Sequence, residues 1–220
     1  MPLVGVVLCG CGRFDGSEIH ESVLTLLHLD RGGAEWIAFA PEGPQWAVCD
    51  HRAGSTLPGE RRDMLAESAR IARGRIRPLA EARAADLDAL ILPGGSGAAR
   101  NLCDFAERGG EGSVREDLAA LLRAMHAARK PIGAICIAPA IVALALGAHA
   151  PRLTLGPSDR GPALEAARTG AVLVPCSVDE IVVDEEQHIV STPAYVLGPG
   201  IADVDVGIGK LVAQVLAWLR

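Results

Sequence analysis

Short runs of valine, isoleucine and leucine alternate along this chain with longer segments of helical periodicity, and glycine or proline follows several of the runs. The runs at residues 4–8, 87–92 and 131–135 are almost continuously apolar, which is typical of strands buried on both faces. The segments between them carry apolar residues at helical spacing. The alternation therefore predicts an α/β fold in which a mostly parallel sheet is covered by helices on both faces.

Further strands are predicted at residues 36–40, 172–174, 181–184 and 188–191, with the last two joined as a hairpin around residues 185–187. Helices are predicted at residues 17–29, 61–73, 115–129, 137–146 and 208–219, and Gly32-Gly33 ends the first of them. The glycine- and proline-rich residues 41–59 are expected to hold a small excursion or hairpin. Because the chain shows no internal repeat or interdomain linker, residues 1–220 are expected to form one domain.

Composition argues against several classes of function. The chain has 27 acidic and 21 basic residues without a basic run, so a nucleic-acid partner is not expected. Its longest apolar stretch, residues 132–146, is shorter than the ~20 residues of a bilayer helix, so no membrane partner is expected. The first residues lack the features of a secretory signal, and we expect a cytoplasmic protein. The six cysteines are scattered without zinc-site spacing, so we expect free thiols and neither a metal nor another cofactor.

The most specific feature is Cys136, which follows a predicted strand and precedes a predicted helix within Gly133-Ala134-Ile135-Cys136-Ile137-Ala138-Pro139. A sharp strand-to-helix turn of this kind presents a nucleophile above the sheet. The N-terminus of the next helix is expected to lower the pKa of the thiol and to offer amides to an oxyanion. A buried structural cysteine is the alternative, but ligands of open α/β sheets collect at this edge, which favours a functional thiol.

A glycine-rich segment, Pro93-Gly94-Gly95-Ser96-Gly97, ends the neighbouring predicted strand. Glycine permits positive φ and close approach, so the backbone N–H groups of this segment can face a ligand at the same sheet edge. Alone, the segment does not outweigh the alternative of a plain glycine-rich turn. Together with the Cys136 elbow it predicts an oxyanion hole.

The turn after the first strand, Gly10-Cys11-Gly12, leads into Glu18-Ile19-His20-Glu21. We disfavour a dinucleotide-binding loop, because no acid is well placed after the second strand to bind a ribose. A carboxyl group buried beside Cys136 would have a raised pKa and could move protons. Stabilisation of the helix N-terminus is the alternative role for these acids. Gly12, Gly94 and His20 are candidate pocket residues, and His20 is either a base or a polar residue at the rim.

These motifs resemble the PfpI-type superfamily, which has a class I glutamine amidotransferase-like fold and includes the Parkinson-associated deglycase-like proteins. Within it, the sequence is similar to the ElbB branch. The resemblance spans nearly the whole chain and also includes the blocks Gly97-Ala98-Ala99-x-Asn101-Leu102, Val178-Asp179-x-Ile181-Val182-Val183-Asp184 and Ser191-Thr192-Pro193-Ala194-Tyr195.

The resemblance implies a flavodoxin-like, doubly wound domain with a small C-terminal β-hairpin, usually found as a homodimer. The nucleophilic cysteine of the family corresponds to Cys136, and its protonated glutamate corresponds to Glu21, with Glu18 one turn earlier. The oxyanion amides correspond to those of Gly95 and Ile137. ElbB-like proteins are similar to cofactor-independent glyoxalases, which are glutathione-independent lyases of the hydro-lyase type. The implied substrate is a small aldehyde, glyoxal, which is converted to glycolate.

Departures from the family pattern disfavour two other reactions. Amidotransferases need a late histidine and acid to activate the cysteine, and residues 191–195 contain neither. Protease-like members place histidine where this chain has Ile137, and deglycase-like members have a pocket histidine that residues 153–157 lack. Without those bases, glutamine hydrolysis and peptide cleavage are disfavoured on mechanism.

Two alternatives to a glyoxalase remain open at this point. The protein could be a redox sensor or an interaction module in which an exposed Cys136 of low pKa is oxidised by peroxide. It could also be an amidotransferase subunit that a partner protein completes.

Overall fold

The structure is a computed structural model that describes residues 1–198 and 200–220. Its strands are β1 (Leu3–Val7), β2 (Glu35–Ala40), β3 (Cys49–Asp50), β4 (Ser55–Thr56), β5 (Ile76–Pro78), β6 (Ala89–Leu92), β7 (Ile132–Ile135), β8 (Arg152–Leu153), β9 (Val172–Leu173), β10 (Val182–Asp184) and β11 (Ile189–Thr192). Its α-helices are α1 (Ile19–Arg31), α2 (Met64–Ala72), α3 (Ala98–Asn101), α4 (Phe105–Arg108), α5 (Glu116–Ala127), α6 (Ala138–Leu146), α7 (Pro162–Ala167) and α8 (Ile201–Ala217).

The main sheet has seven strands in the order β10-β11-β7-β6-β1-β2-β5. All neighbouring strands in it are parallel except β10, which pairs antiparallel with β11 as the predicted C-terminal hairpin. Because β1, β6 and β7 are adjacent and parallel, the turns that follow them meet at one edge of the sheet. These turns lead to Glu21, Gly95 and Cys136.

Alternating side chains of the central strands supply two separate apolar cores. Val7 and Leu90 point into one core, which includes residues of α5 and α6. Val6 and Ile91 point into the other, which includes residues of α1 and α8. The near-continuous apolar runs are thus explained, because each of these strands buries residues on both faces. The predicted α/β class, with a mostly parallel sheet and helices on both faces, is confirmed.

Some predicted elements differ from those in the structure. The last helix begins at Ile201 rather than at residue 208, and Gly207 is a packing residue within it. A Cβ atom on Gly207 would lie 2.4 Å from the carbonyl oxygen of Val178. The edge strand β5 was not predicted, and its short Ile-Arg-Pro sequence explains why. The expected excursion at residues 41–59 contains the β3–β4 hairpin, and β9 pairs with β8 outside the main sheet.

Candidate active site

Cys136 occupies the turn between β7 and α6 in a left-handed backbone conformation, with φ of 62°. That conformation costs a non-glycine residue about 1 kcal/mol, so the neighbouring structure must hold it. The Cys136 N–H donates to the carbonyl oxygen of Thr192 on β11 at 2.9 Å, which fixes the turn against the sheet. This geometry is that of the nucleophile elbow predicted from the sequence.

Glu21 lies in the first turn of α1 and is fully buried beside the thiol. Its carboxyl group lies beside the Cys136 thiol, and each group shifts the pKa of the other. Its Oε2 accepts a hydrogen bond from the Gly94 N–H at 2.9 Å, and its Oε1 accepts a longer one from the Tyr195 N–H at 3.4 Å. Of the two candidate acids, Glu21 is therefore the one that contacts the thiol.

Gly94 packs closely against both Cys136 and Glu21. A Cβ atom on Gly94 would lie 2.6 Å from Cβ of Cys136 and 3.0 Å from Oε2 of Glu21. Both distances are too short for a side chain to fit without displacing the pair. Gly94 was expected in the pocket, but it lines neither of the cavities that reach Cys136; its lack of a side chain instead allows the loop after β6 to pass between β7 and α1.

Burial raises the pKa of both acids. The pKa of Glu21 rises to about 7, first through burial and then through the nearby charge of Glu18, although its hydrogen bonds oppose the rise. The pKa of the Cys136 thiol rises well above its usual value through burial and the charge of Glu21. The expectation of a lowered thiol pKa is therefore wrong, because only 8% of Cys136 is exposed. Ionisation of either group opposes ionisation of the other.

The predicted oxyanion amides of Gly95 and Ile137 both lie beside the Cys136 sulfur, where they lower the pKa of the thiol without outweighing burial. Gly95 has φ of 106°, and a Cβ atom there would lie 2.5 Å from the carbonyl oxygen of Gly16. Glycine is required at this position for both reasons. Two amides thus converge on the place where negative charge develops on sulfur or on an attached oxygen.

Glu18 and His20 lie at the rim of the site. Glu18 is the N-cap of α1, and its Oε2 accepts a hydrogen bond from the Glu21 N–H at 2.8 Å. His20 is exposed, and its Nδ1 lies 2.7 Å from the hydroxyl oxygen of Tyr195. Gly12 packs instead against the ring of His51 and lines neither of the cavities at Cys136.

Two cavities reach Cys136, and both are lined by Gly95, Ser96, Cys136 and Tyr195. The small cavity, of about 300 Å³, is otherwise lined by Arg13, Glu18 and His20. The large cavity, of about 730 Å³, continues towards α4 and α7 and has a more extended lining, which also includes Ala99, Arg100, Phe105, Ala106, Glu107, Arg108, Gly109, Ile137, Gly161, Pro162, Glu165 and Val196. The thiol is therefore accessible to a small molecule although the residue is mostly buried.

Sequence reasoning missed Tyr195 as a site residue. Its N–H contacts Glu21, its hydroxyl group contacts His20, and its side chain lines both cavities. Burial and the charges of Glu18 and Glu21 raise the pKa of its phenol. Tyr195 ended one of the motif blocks, but a tyrosine at that spacing indicates no particular chemistry.

All six cysteines are free thiols. Within residues 1–198 and 200–220, no three histidine, cysteine or carboxylate side chains converge as the ligands of a metal ion would. In the same part of the chain, none of the helices has both the length and the apolarity needed to cross a bilayer.

Comparisons with known proteins place the chain among characterised folds. No family model matches it. The rat mitochondrial ES1 protein homolog is 42% identical over a gapped alignment of 221 positions, which covers 97% of this chain and 82% of that protein. The human glutamine amidotransferase-like class 1 domain-containing protein 3, mitochondrial, matches with the same identity and coverage.

Solved structures of other proteins share the fold of this chain. The isoprenoid biosynthesis protein with amidotransferase-like domain from Ehrlichia chaffeensis superposes with a TM-score of 0.93 at 34% identity, covering 100% of both chains. Drosophila melanogaster DJ-1beta superposes with a TM-score of 0.56 at 20% identity, covering 99% of this chain and 97% of that one, which shows a shared fold only. The flavodoxin-like fold of the DJ-1/PfpI group is thereby confirmed.

The same comparisons correct one prediction. The rat and human relatives are mitochondrial proteins, so the cytoplasmic location expected from the sequence is wrong. A short apolar strand at the start of a chain does not report its compartment. Since 42% identity extends over nearly its whole length and the fold matches, the chain belongs to the ES1 family of proteins with a class I glutamine amidotransferase-like fold.

Proposed function

We propose that this protein is a glutathione-independent glyoxalase that converts glyoxal, or a similar small α-oxoaldehyde, to the 2-hydroxy acid. The observation that carries the proposal is the convergence of a buried carboxyl group and two backbone amides on a thiol that lines both cavities. A carbonyl carbon attacked by sulfur needs all three: a nucleophile, a proton carrier and donors for the oxyanion.

In the first step, the sulfur of Cys136 attacks one aldehyde carbon of glyoxal and forms a C–S bond. The thiol proton passes to Glu21 and then to the new alkoxide, which gives a neutral hemithioacetal. The amides of Gly95 and Ile137 stabilise the negative charge while it is on oxygen. Where such donors have been removed from other enzymes, the loss is about 3 kcal/mol per donor.

In the second step, Glu21 removes the C–H proton from the sulfur-bearing carbon, and the electron pair forms an enediol as the second carbonyl oxygen takes a proton from water. Glu21 returns its proton to the second carbon while the hydroxyl group on the sulfur-bearing carbon loses its proton to water, which gives a thioester of glycolic acid. Water then cleaves the C–S bond and releases glycolate and the thiol, so the sum is glyoxal plus water to glycolic acid. A carboxyl group with a pKa near 7 suits these transfers, because both of its protonation states are populated at neutral pH.

The arrangement of the thiol argues against peroxide sensing as the main function. A sensor cysteine has a low pKa, whereas burial and the charge of Glu21 raise the pKa of Cys136. Glutamine hydrolysis needs a histidine that contacts the thiol. Within residues 1–198 and 200–220, no histidine is hydrogen-bonded to Cys136, and His20 contacts Tyr195 instead. Both alternatives can be measured in the same experiment as glyoxalase activity.

The test is to incubate the purified protein with glyoxal in the absence of glutathione and to follow glycolate by NMR. Cys136→Ala is the matched control, with folding checked by circular dichroism. Glycolate from the wild type alone supports the proposal. Equal glycolate from both proteins, or none from either, rejects it; oxygen addition at Cys136 under dilute peroxide, or ammonia release from glutamine, would then identify the alternative.

A further inference from the structure

The two cavities that meet at Cys136 differ in their charge balance. In the large cavity, Glu107 pairs with Arg100 and Glu165 pairs with Arg168, so that each acid lies beside a base. In the small cavity, Arg13 is the cation, and its guanidinium group forms no ion pair within residues 1–198 and 200–220. Arg13 therefore lines the same cavity as Cys136 without a carboxylate partner in the described residues.

Arg13 is held in place by aromatic stacking and by a backbone contact. Its guanidinium carbon lies 4.3 Å from the centre of the Phe14 ring, and that ring packs on His51 with 5.1 Å between ring centres. The carbonyl oxygen of Arg13 accepts a hydrogen bond from the Ser96 N–H at 2.6 Å. Ser96 directly follows Gly95, so Arg13 is fixed relative to an oxyanion amide.

The acids near Arg13 are engaged elsewhere. The carboxylate of Glu18 caps α1, where the positive end of the helix dipole offsets its charge. Asp15 is 2% exposed, and its Oδ2 accepts a hydrogen bond from the Cys49 N–H at 2.7 Å. Tyr195, which also lines the small cavity, carries no charge at neutral pH, because burial raises the pKa of its phenol. The small cavity therefore favours an anion at its mouth, although the chain as a whole carries a net charge of −6.

We propose that Arg13 is a specificity-determining residue that binds an anionic group on the tail of the α-oxoaldehyde. This inference rests on the proposed function and narrows its substrate class from neutral glyoxal to α-oxoaldehydes that carry a carboxylate or a phosphate on a short chain. The anion contacts Arg13 at the mouth of the small cavity while the aldehyde carbon meets Cys136 at its wall. The chemistry is unchanged, because water is added and the aldehyde becomes the carboxylate of the 2-hydroxy acid.

Matched substrates and variants test the role of Arg13. The carboxylate arm compares 4,5-dioxopentanoate with its methyl ester, and the phosphate arm compares 2-oxo-3-phosphooxypropanal with methylglyoxal. For each pair, the readout is the ratio of kcat/KM for the anion to kcat/KM for the neutral substrate. Arg13→Gln removes the charge and Arg13→Lys retains it. Arg31→Gln, at the opposite end of α1, is the control for net charge.

In the wild type, we expect kcat/KM for the anion to exceed kcat/KM for the neutral substrate by about tenfold in at least one of the two pairs. A tenfold ratio corresponds to the lower end of what a hydrogen bond to a charged group contributes. Arg13→Gln is expected to bring that ratio close to one, Arg13→Lys to keep most of it, and Arg31→Gln to leave it unchanged. The preference should also weaken as the salt concentration rises. The arm that shows the preference identifies the anion as carboxylate or phosphate.

Failure of this inference can be told apart from failure of the glyoxalase proposal. If the neutral substrates turn over but Arg13→Gln leaves both ratios unchanged, the role of Arg13 is refuted and the glyoxalase proposal stands. If no α-oxoaldehyde turns over, the same four compounds are titrated into Cys136→Ala and into Cys136→Ala/Arg13→Gln by NMR. An anion preference in the first variant that disappears in the second supports the Arg13 site, and equal affinities overturn it.

Discussion

Replacing Glu21 by glutamine is expected to stabilise the folded protein at neutral and alkaline pH, although it removes a proposed catalytic group. Glutamine has nearly the same shape and can still accept the Gly94 N–H, but it carries no charge that burial penalises. The wild-type carboxyl has a pKa of about 7 in the folded state, against 4.5 for an unburied glutamate. The difference corresponds to about 3 kcal/mol.

The sign follows from proton binding. Between pH 4.5 and 7 the folded state retains the Glu21 proton while the unfolded chain has lost it. The unfolded state therefore binds fewer protons, and wild-type stability falls as the pH rises through this window. Below pH 4.5 this loss of wild-type stability is absent, and above pH 7 it is complete. Glu21→Gln lacks this contribution, so its stability relative to wild type should rise by up to about 3 kcal/mol from pH 4.5 to pH 8.

The assay is urea unfolding followed by tryptophan fluorescence at a series of pH values, with the free energy of unfolding obtained for both proteins at each pH. The difference between the two proteins cancels the titration of all other groups. Glu116→Gln is the control, because its side chain is 85% exposed and its curve should run parallel to wild type. If the difference in free energy of unfolding between wild type and Glu21→Gln stays constant from pH 4.5 to 8, Glu21 is not a buried, titrating carboxyl group.

Two further substitutions test the packing around the site. Gly94→Ala should lower glyoxal turnover by at least about 100-fold, because its Cβ would lie 2.6 Å from Cβ of Cys136 and displace the thiol from Glu21; single-turnover glycolate formation measures this, and near-normal turnover would contradict the close packing. Asn101→Ala should lower the free energy of unfolding by about 3 kcal/mol in urea, because its amide bridges the carbonyl oxygens of Cys9 and Asp15 and accepts the Trp46 N–H. A loss below about 0.5 kcal/mol would show that water replaces these hydrogen bonds.

Much of the site could be predicted from the sequence because parallel strands bring their carboxyl ends together. Once residues 4–8, 87–92 and 131–135 are assigned as buried strands, the turns after them must share an edge, and that places Cys136 near Gly95 and α1. The choice between Glu18 and Glu21 could not be made in this way, because both stand at the start of one helix. The structure distinguishes them: Glu21 lies on the buried face with Ser22, whereas Glu18 caps the helix end.

Features that depend on contacts between distant segments were missed. The sequence shows that a helix follows Cys136, which favours a lowered thiol pKa, but it does not show the burial and the nearby charge of Glu21 that reverse the shift. Tyr195 enters the site through a turn that follows β11, and no local pattern indicates its contact with His20. The homodimer implied by the resemblance stays a prediction, which light scattering of the purified protein can test.

A thiol with a raised pKa can still act as the nucleophile because its proton need not leave the site. When Glu21 is ionised, transfer of the Cys136 proton to Glu21 creates a thiolate while the pair keeps one negative charge in total. Burial, which opposes adding a charge, therefore does not oppose this transfer strongly, and the amides of Gly95 and Ile137 favour the charge on sulfur. The same arrangement explains why Glu21→Gln should be both more stable and less active. A buried carboxyl group that can accept the thiol proton destabilises the fold at neutral pH. An amide of the same shape removes both this destabilisation and the proton acceptor.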